Sequence, residues 1–318
     1  MNVTSLLNNN LDKTAFSFEI LPPLKGNGFE KVCGIVDNLR EFEPKYINIT
    51  THHSETVYRE AEGGFLKKTY IRKRPGTVAI SAAIQNKYGI TAVPHVICKG
   101  FTKEETEYAL IDLQFLGVSE LLLLRGDADK LENGRIPDRQ SNEHTTDLIE
   151  QVNLYNTGVD IEGNVFEKPA VPFSFGVACY PEKHEEAPNM DSDIAFLKKK
   201  IEMGAEYAVT QMFFDSQKYF SFVERCRKEG ISVPIIPGIK PIVLLNQLSV
   251  LPKVFRVDFP DALEIELRKC KTDDEAKAVG IEWSIAQCRE LIAGGVPSIH
   301  FYTFMAAESV RKIAKNIY

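Results

Sequence analysis

The chain has 318 residues, 44% of them hydrophobic and 26% charged, with a formal net charge of -6. This is the composition of a globular protein with ample core-forming residues, and its acidic balance argues against a nucleic-acid binder, which carries a basic stripe or patch. Six dispersed cysteines without CxxC or zinc spacing fit reduced thiols. With no signal-peptide pattern at Met1–Thr14 and no apolar run of the ~20 residues that span a bilayer, a cytoplasmic protein away from membranes is expected.

Short β-branched and aromatic runs alternate with longer amphipathic ones. In chain order the strand-like runs are Ala15–Leu21, Tyr46–Thr50, Thr91–Ile97, Glu120–Leu124, Ser174–Cys179, Tyr207–Gln211, Pro234–Gly238 and Ser298–Tyr302. The run at 121–124, four leucines, has the continuous apolar character of a strand buried on both faces. Helices are expected between the runs, as over Lys103–Leu116 and over Asp191–Met203, where Gly204 follows as a stop. The basic stretch Lys67–Arg74, broken by Tyr70 and Ile71, reads as a solvated helix face. Two polar insertions are expected, Ala128–Asn142 and Asn156–Pro172, and the stretch 243–294 has room for several extra helices.

Eight β/α alternations without a linker predict an α/β fold of the (β/α)8 TIM-barrel type, one catalytic domain over 1–318; a doubly wound open sheet is the alternative. In such a barrel chemistry gathers at the C-terminal ends of the strands. Those ends read Glu19, Thr50, His95, Arg125-Gly126-Asp127, Tyr180 with His184, Gln211, Lys240 and Tyr302, nearly all able to donate, accept or carry charge. No Walker loop, GxSxG elbow or HExxH motif is present. His52 and His53, adjacent at the end of a strand, would point to opposite faces, so no metal is expected.

Several segments carry a more specific signal. Phe16-Ser-Phe-Glu-Ile-Leu-Pro-Pro23, Pro94-His-Val-Ile-Cys98, Leu124-Arg-Gly-Asp127, Ala178-Cys-Tyr-Pro-Glu-Lys-His184, Thr210-Gln-Met-Phe-Phe-Asp215, Ile236-Pro-Gly-Ile239 and His300-Phe-Tyr-Thr303 occur in order along nearly the whole chain. In this set the sequence resembles the methylenetetrahydrofolate reductases of the bacterial, single-domain type. The resemblance implies a barrel holding non-covalent FAD, reduced by NADH or NADPH, which in turn reduces 5,10-methylenetetrahydrofolate to the 5-methyl form. It implies Glu19 as general acid and Asp127 as the carboxylate beside the flavin, both also touching the substrate. Thr50, Thr51, His95, Leu124, Arg125, Gly126, Asp127, Ala178, Tyr180, His184, Ala187, Asp193 and Lys200 fall at FAD-contacting positions, and Gln211 and Gln247 at folate-holding ones. A homo-oligomer is expected. The alternatives are a flavin barrel reduced by a partner electron-transfer protein, and a flavin-free barrel lyase or folate-binding module.

The chemistry explains the residue types. The closed ring of the substrate must open to an iminium cation before it accepts hydride, which calls for an acid still protonated near neutral pH. Glu19 lies among Phe16, Phe18, Ile20 and Leu21, where desolvation raises a carboxyl pKa. Asp127 is expected to stay ionised opposite the cation, so that two carboxylates in different settings do different work. The sequence departs from the family at Thr51-His-His-Ser54, at His144-Thr145, at Leu251 and at Ala306, where cofactor or folate contacts are expected to differ.

Overall fold

The computed structural model describes residues 2–9, 13–61, 63–126, 140–168, 171–304 and 306–318. Among them the elements are, in order, α1 (Val3–Asn8), β1 (Ala15–Ile20), α2 (Glu30–Leu39), β2 (Tyr46–Ile49), β3 (Glu55–Ala61), β4 (Phe65–Ile71), α3 (Thr77–Tyr88), β5 (Thr91–Ile97), α4 (Lys103–Phe115), β6 (Glu120–Leu124), α5 (Thr145–Asn156), β7 (Ser174–Cys179), α6 (Met190–Glu202), β8 (Tyr207–Thr210), α7 (Ser216–Lys228), β9 (Ile235–Ile236), β10 (Gly238–Ile239), α8 (Gln247–Phe255), α9 (Asp261–Lys269), α10 (Asp273–Ala293), β11 (Ser298–Tyr302) and α11 (Ala307–Ile317). Helix starts follow local chemistry. Thr102 and Glu105 form a reciprocal capping box at α4, and Thr272 caps α10 ahead of three acidic residues.

The main sheet is parallel and runs β10-β11-β1-β2-β5-β6-β7-β8-β9. Its two end strands are consecutive pieces of one run, separated by Pro237 alone. β9 pairs with β8 and β10 with β11, so the eight-stranded ring closes through a seventh strand split between its two neighbours. Proline has no N–H to give a ladder; its carbonyl accepts from His300 N at 3.0 Å, and Gly238 N reaches Thr210 Oγ1 at 2.9 Å, stitching the halves. The fold is the expected (β/α)8 barrel and not an open sheet.

Strand alternation sorts the side chains. Phe16, Phe18 and Ile20 of β1 face the outer helices with Ile47, Ile49, Leu121, Leu123, Val177, Ile239, Ile299 and Phe301. Ala15, Tyr46, Val93, Leu122, Tyr207, Val209 and Ile236 fill the lower barrel, where Val3 and Leu7 of α1 join them and stopper the N-terminal end. Glu120 Oε2 holds this helix by its Val3 N–H at 3.1 Å. A third cluster, with Met212, Phe214, Leu251, Leu263 and Leu267, packs α8, α9 and α10 beside the mouth.

Two elements differ from the sequence expectation. The stretch Lys67–Arg74 is no helix face: its first part belongs to β4, which pairs antiparallel with β3 in a hairpin. It is solvated as expected, with Lys67, Lys68 and Tyr70 exposed along a ribbon that faces solvent on both sides. His52 and His53 lie beyond β2 in a loop, so strand alternation does not govern them; His52 Nε2 is 3.2 Å from Thr50 Oγ1, and His53 Nδ1 is 2.9 Å from Ser54 O. The expected insertion Ala128–Asn142 lies mostly outside the described residues, whereas most of Asn156–Pro172 forms an exposed turn with one bridge, Val159 to Val165.

Candidate active site

The inward residues change character toward the strands' C-terminal ends. β1 carries Ala15, Ser17 and Glu19 inward, β2 Tyr46 and Asn48, and β11 Ser298, His300 and Tyr302; register sets Ser17 level with His300, and Glu19 level with Asn48 and Tyr302. Apolar filling thus gives way to a polar layer below the mouth. Ser17 Oγ is 3.0 Å from His300 Nδ1, and the His300 ring stacks on Tyr46 at 6.0 Å.

Glu19 is 5% exposed, and its Oε2 lies 3.4 Å from His95 Nε2, which is 5% exposed. The pair is close without the angles of a hydrogen bond, and His95 Nε2 has no hydrogen-bond partner among the described residues. Burial pushes the Glu19 carboxyl up to about 8, with the charge of Lys240 pulling it back. Burial pushes His95 down to about 3, helped by His52. Both groups are therefore neutral at pH 7, an acid holding its proton beside an uncharged imidazole.

Around this centre Thr51 Oγ1 donates to His95 O at 2.5 Å, binding the loop after β2 to β5. Pairing of β5 and β6 continues past their ends, with Cys98 N on Leu124 O and Lys99 N on Arg125 O. Gly126 has φ +84°, a left-handed turn that favours glycine. Arg125 is ion-paired with Glu186, while its Nε is buried without a hydrogen-bond partner among the described residues. Asp127 lies outside the described residues.

The residues after β7 form a second group, fastened to α6. Tyr180 sits edge-on to His184 at 4.7 Å, His184 N donates to Asp193 Oδ2 at 2.8 Å, and Lys200 Nζ donates to Ala178 O at 2.8 Å. Ala187 is buried, its carbonyl held by Lys183 Nζ. Arg125 joins the two groups through Glu186. The folate-side glutamines are not brought together by any contact: Gln211 caps its own neighbour Met212, and Gln247 Oε1 accepts from Val243 N and Leu244 N at the start of α8. Leu251 is buried among the extra helices, His144 starts α5, and Ala306 precedes α11.

Sequence reasoning named Lys240 only as a strand end and His300 only as part of a matching segment, and gave neither His300 nor Asn48 a place in the site. Asn48 is fully buried with neither amide atom hydrogen-bonded among the described residues, and His300, pushed down to about 3 by burial, keeps a bare Nε2. The available signal was a polar residue at every inward position of β1 and β11 above Ala15.

Fold and site together define a (β/α)8 barrel protein with a buried acid–base centre at its C-terminal mouth. The family model for methylenetetrahydrofolate reductase matches residues 5–318, and the chain belongs to that family. It is 30% identical over 293 residues to the 5,10-methylenetetrahydrofolate reductase of Pectobacterium carotovorum, covering 92% of this chain and 86% of that one. It is 30% identical over 316 residues to methylenetetrahydrofolate reductase (NADH) 1 of Arabidopsis thaliana, but there 96% of this chain covers 48% of the plant protein. The chain thus spans about half the length of such eukaryotic relatives. A solved structure described as an uncharacterized protein from Clostridium thermocellum that binds two copies of 5-methyl-5,6,7,8-tetrahydrofolic acid aligns over 99% of both chains, with a TM-score of 0.56 and 14% identity. That likeness speaks to the fold alone.

Proposed function

We propose that this protein reduces 5,10-methylenetetrahydrofolate to 5-methyltetrahydrofolate with electrons from NADH or NADPH carried by bound FAD, in a cytoplasmic setting. The observation that supports it best is Glu19, a buried carboxyl that keeps its proton near neutrality at the mouth of a barrel of this family. When bound, FAD supplies the two-electron relay between nicotinamide and folate.

The residues fit that group. Among the described residues Arg125 Nε and His95 Nε2 are buried without hydrogen-bond partners, Lys200 supplies a cation for phosphate, and Thr50 and Thr51 place hydroxyls at the rim. His184, Ala187 and Asp193 would shape the wall on the β7–α6 side; Leu124, Gly126 and Ala178 would lend backbone and close approach. Gln211 and Gln247 would meet the folate with their amide N–H groups. Asp127 would stay ionised and favour the cationic form of the opened substrate.

Glu19 gives its proton to the departing ring nitrogen: the Glu19 O–H bond breaks, an N–H bond forms, and the C–N bond opens to the iminium. Neutral His95 keeps a second positive charge away from that cation. The test is an anaerobic stopped-flow separation of the two half-reactions in Glu19→Gln. A general acid contributes ~10²–10⁴-fold, so folate reduction should fall by that order while reduction of the flavin by nicotinamide is spared. Equal slowing of both, or a protein that binds no FAD, would sink the proposal.

A further inference from the structure

Lys240 has no part in the chemistry derived above, yet it is 6% exposed. It follows β10, whose Ile239 pairs with Phe301, so Lys240 falls level with Tyr302. Tyr302 in turn is the register partner of Glu19. Ile239 packs outward against the helices, while Lys240, the next residue, is buried and near enough to Glu19 for each charge to act on the other. Glu19 and Lys240 therefore occupy one layer of the barrel, on either side of Tyr302.

Tyr302 does not fill the space between them. Its hydroxyl donates to Thr210 O at 2.6 Å, and its ring lies over Gly238, where an added Cβ would meet it at 2.5 Å. The ring is accommodated by a glycine one layer below, which leaves the layer above to Lys240 and Glu19. Among the described residues the Lys240 ammonium has no hydrogen bond, and its near neighbour is the Phe304 ring, 5.2 Å from Nζ to centroid. The buried ammonium thus has an aromatic face beside it and shares its layer with the Glu19 carboxyl, whose charge it influences.

We propose that Lys240 is a positioning residue for the acid, its ammonium facing the carboxylate that Glu19 becomes once its proton has left. This rests on the functional reading above in one respect, that Glu19 gives a proton to substrate. A carboxyl buried at 5% exposure is a weak acid, because the charge left behind is poorly solvated. An ammonium in the same layer stabilises that charge and brings the acid back toward working pH, where proton transfer is fastest. The mutual influence agrees: Lys240 lowers Glu19, and burial takes Lys240 itself down to about 8 against the pull of Glu19. The other titratable groups at the mouth do not substitute for it. His95 is neutral, His52 acts on His95 from the loop after β2, and Tyr302 is pushed far above its ordinary value.

Lys240→Met and Lys240→Arg separate the possibilities. The protonated carboxyl of Glu19 can be read directly by infrared difference spectroscopy against Glu19→Gln, in the free protein and without turnover. An opposite charge nearby lowers a carboxyl pKa by roughly 1–3 units, so Lys240→Met should keep its protonated band to a pH at least about one unit higher than wild type. Lys240→Arg stays charged at all relevant pH and should lose the band at the same pH or lower. The alkaline limb of the folate half-reaction should move the same way, with a reduced plateau in Lys240→Met and a plateau near wild type in Lys240→Arg. A band that titrates alike in wild type and Lys240→Met, or at higher pH in Lys240→Arg, overturns the proposal; the arginine variant alone decides if the methionine variant does not fold. If wild type reduces no folate, the functional reading fails while the infrared arm still decides whether Lys240 governs Glu19.

Discussion

In an unfolded chain Glu19 titrates near 4.5, and in the barrel near 8. A folded-state value that is raised means the neutral form is favoured, so the associated stability is complete below pH 4.5 and is lost as pH climbs toward 8. One pKa unit is about 1.4 kcal/mol, which makes the loss on the order of 3 kcal/mol by pH 7. His95 and His300 run the other way: pushed from 6.5 down to about 3, they leave stability intact above pH 6.5 and remove it as pH falls toward 3. Glu19→Gln keeps the shape and is neutral everywhere. We expect its melting temperature to exceed that of wild type by a margin that widens from pH 5 to pH 8; a margin flat in pH would show that Glu19 is not held neutral. The acid's burial was legible, because Phe16, Phe18 and Ile20 flank it and alternation does the rest. Its partner was not. Glu19 and Lys240 are far apart in the chain, and only the registers of β1 and β10 on β11 bring them level.

Strand positions were legible because both faces of a barrel strand are dry: the expected run at 120–124 is β6 and the run at 298–302 is β11, residue for residue. The run Pro234–Gly238 was read as one strand, and the structure splits it at Pro237 because each half serves a different neighbour. Nothing in a local pattern reports which neighbour a residue will bond. The β3–β4 hairpin was missed for a related reason. Its residues are exposed along most of both strands, including Phe65 and Leu66, so no burial imposes a period that a sequence would display. A two-stranded ribbon of this sort adds little to stability. Replacing 55–71 by a short glycine-rich turn should leave the barrel folded and shift the melting temperature by no more than about 3 °C, roughly what 1 kcal/mol does in a protein of this size. The segment just beyond must be retained, since Lys25 N bonds Lys73 O and Arg74 reaches Pro22 O, joining it to the loop after β1. A cooperative loss of the whole barrel in thermal unfolding would show that the hairpin is structural.

At the scale of the molecule the barrel is asymmetric, polar toward the strands' C-terminal ends, apolar and stoppered at the other end by Val3 and Leu7 over Tyr46, Leu122 and Tyr207. The family assignment was legible as a set of short segments spread over the chain, since each sits at a strand end and the ring gathers them. The stopper was not, because six residues of α1 are too few to show a helical period. That floor imposes a timetable on the acid. On the proposed mechanism Glu19 would spend one proton per turnover and regain it from water. From below, water meets a dry stopper; from above, it meets whatever fills the mouth. Recharging therefore falls in the interval after product has left and before the next folate arrives. Added viscosogen should slow steady-state turnover while leaving a single folate half-reaction untouched, and a turnover rate indifferent to viscosogen would point to a leak through the floor. If Glu19 is the acid proposed, release of product and rearming of that acid would be, in this architecture, consecutive moments of one event.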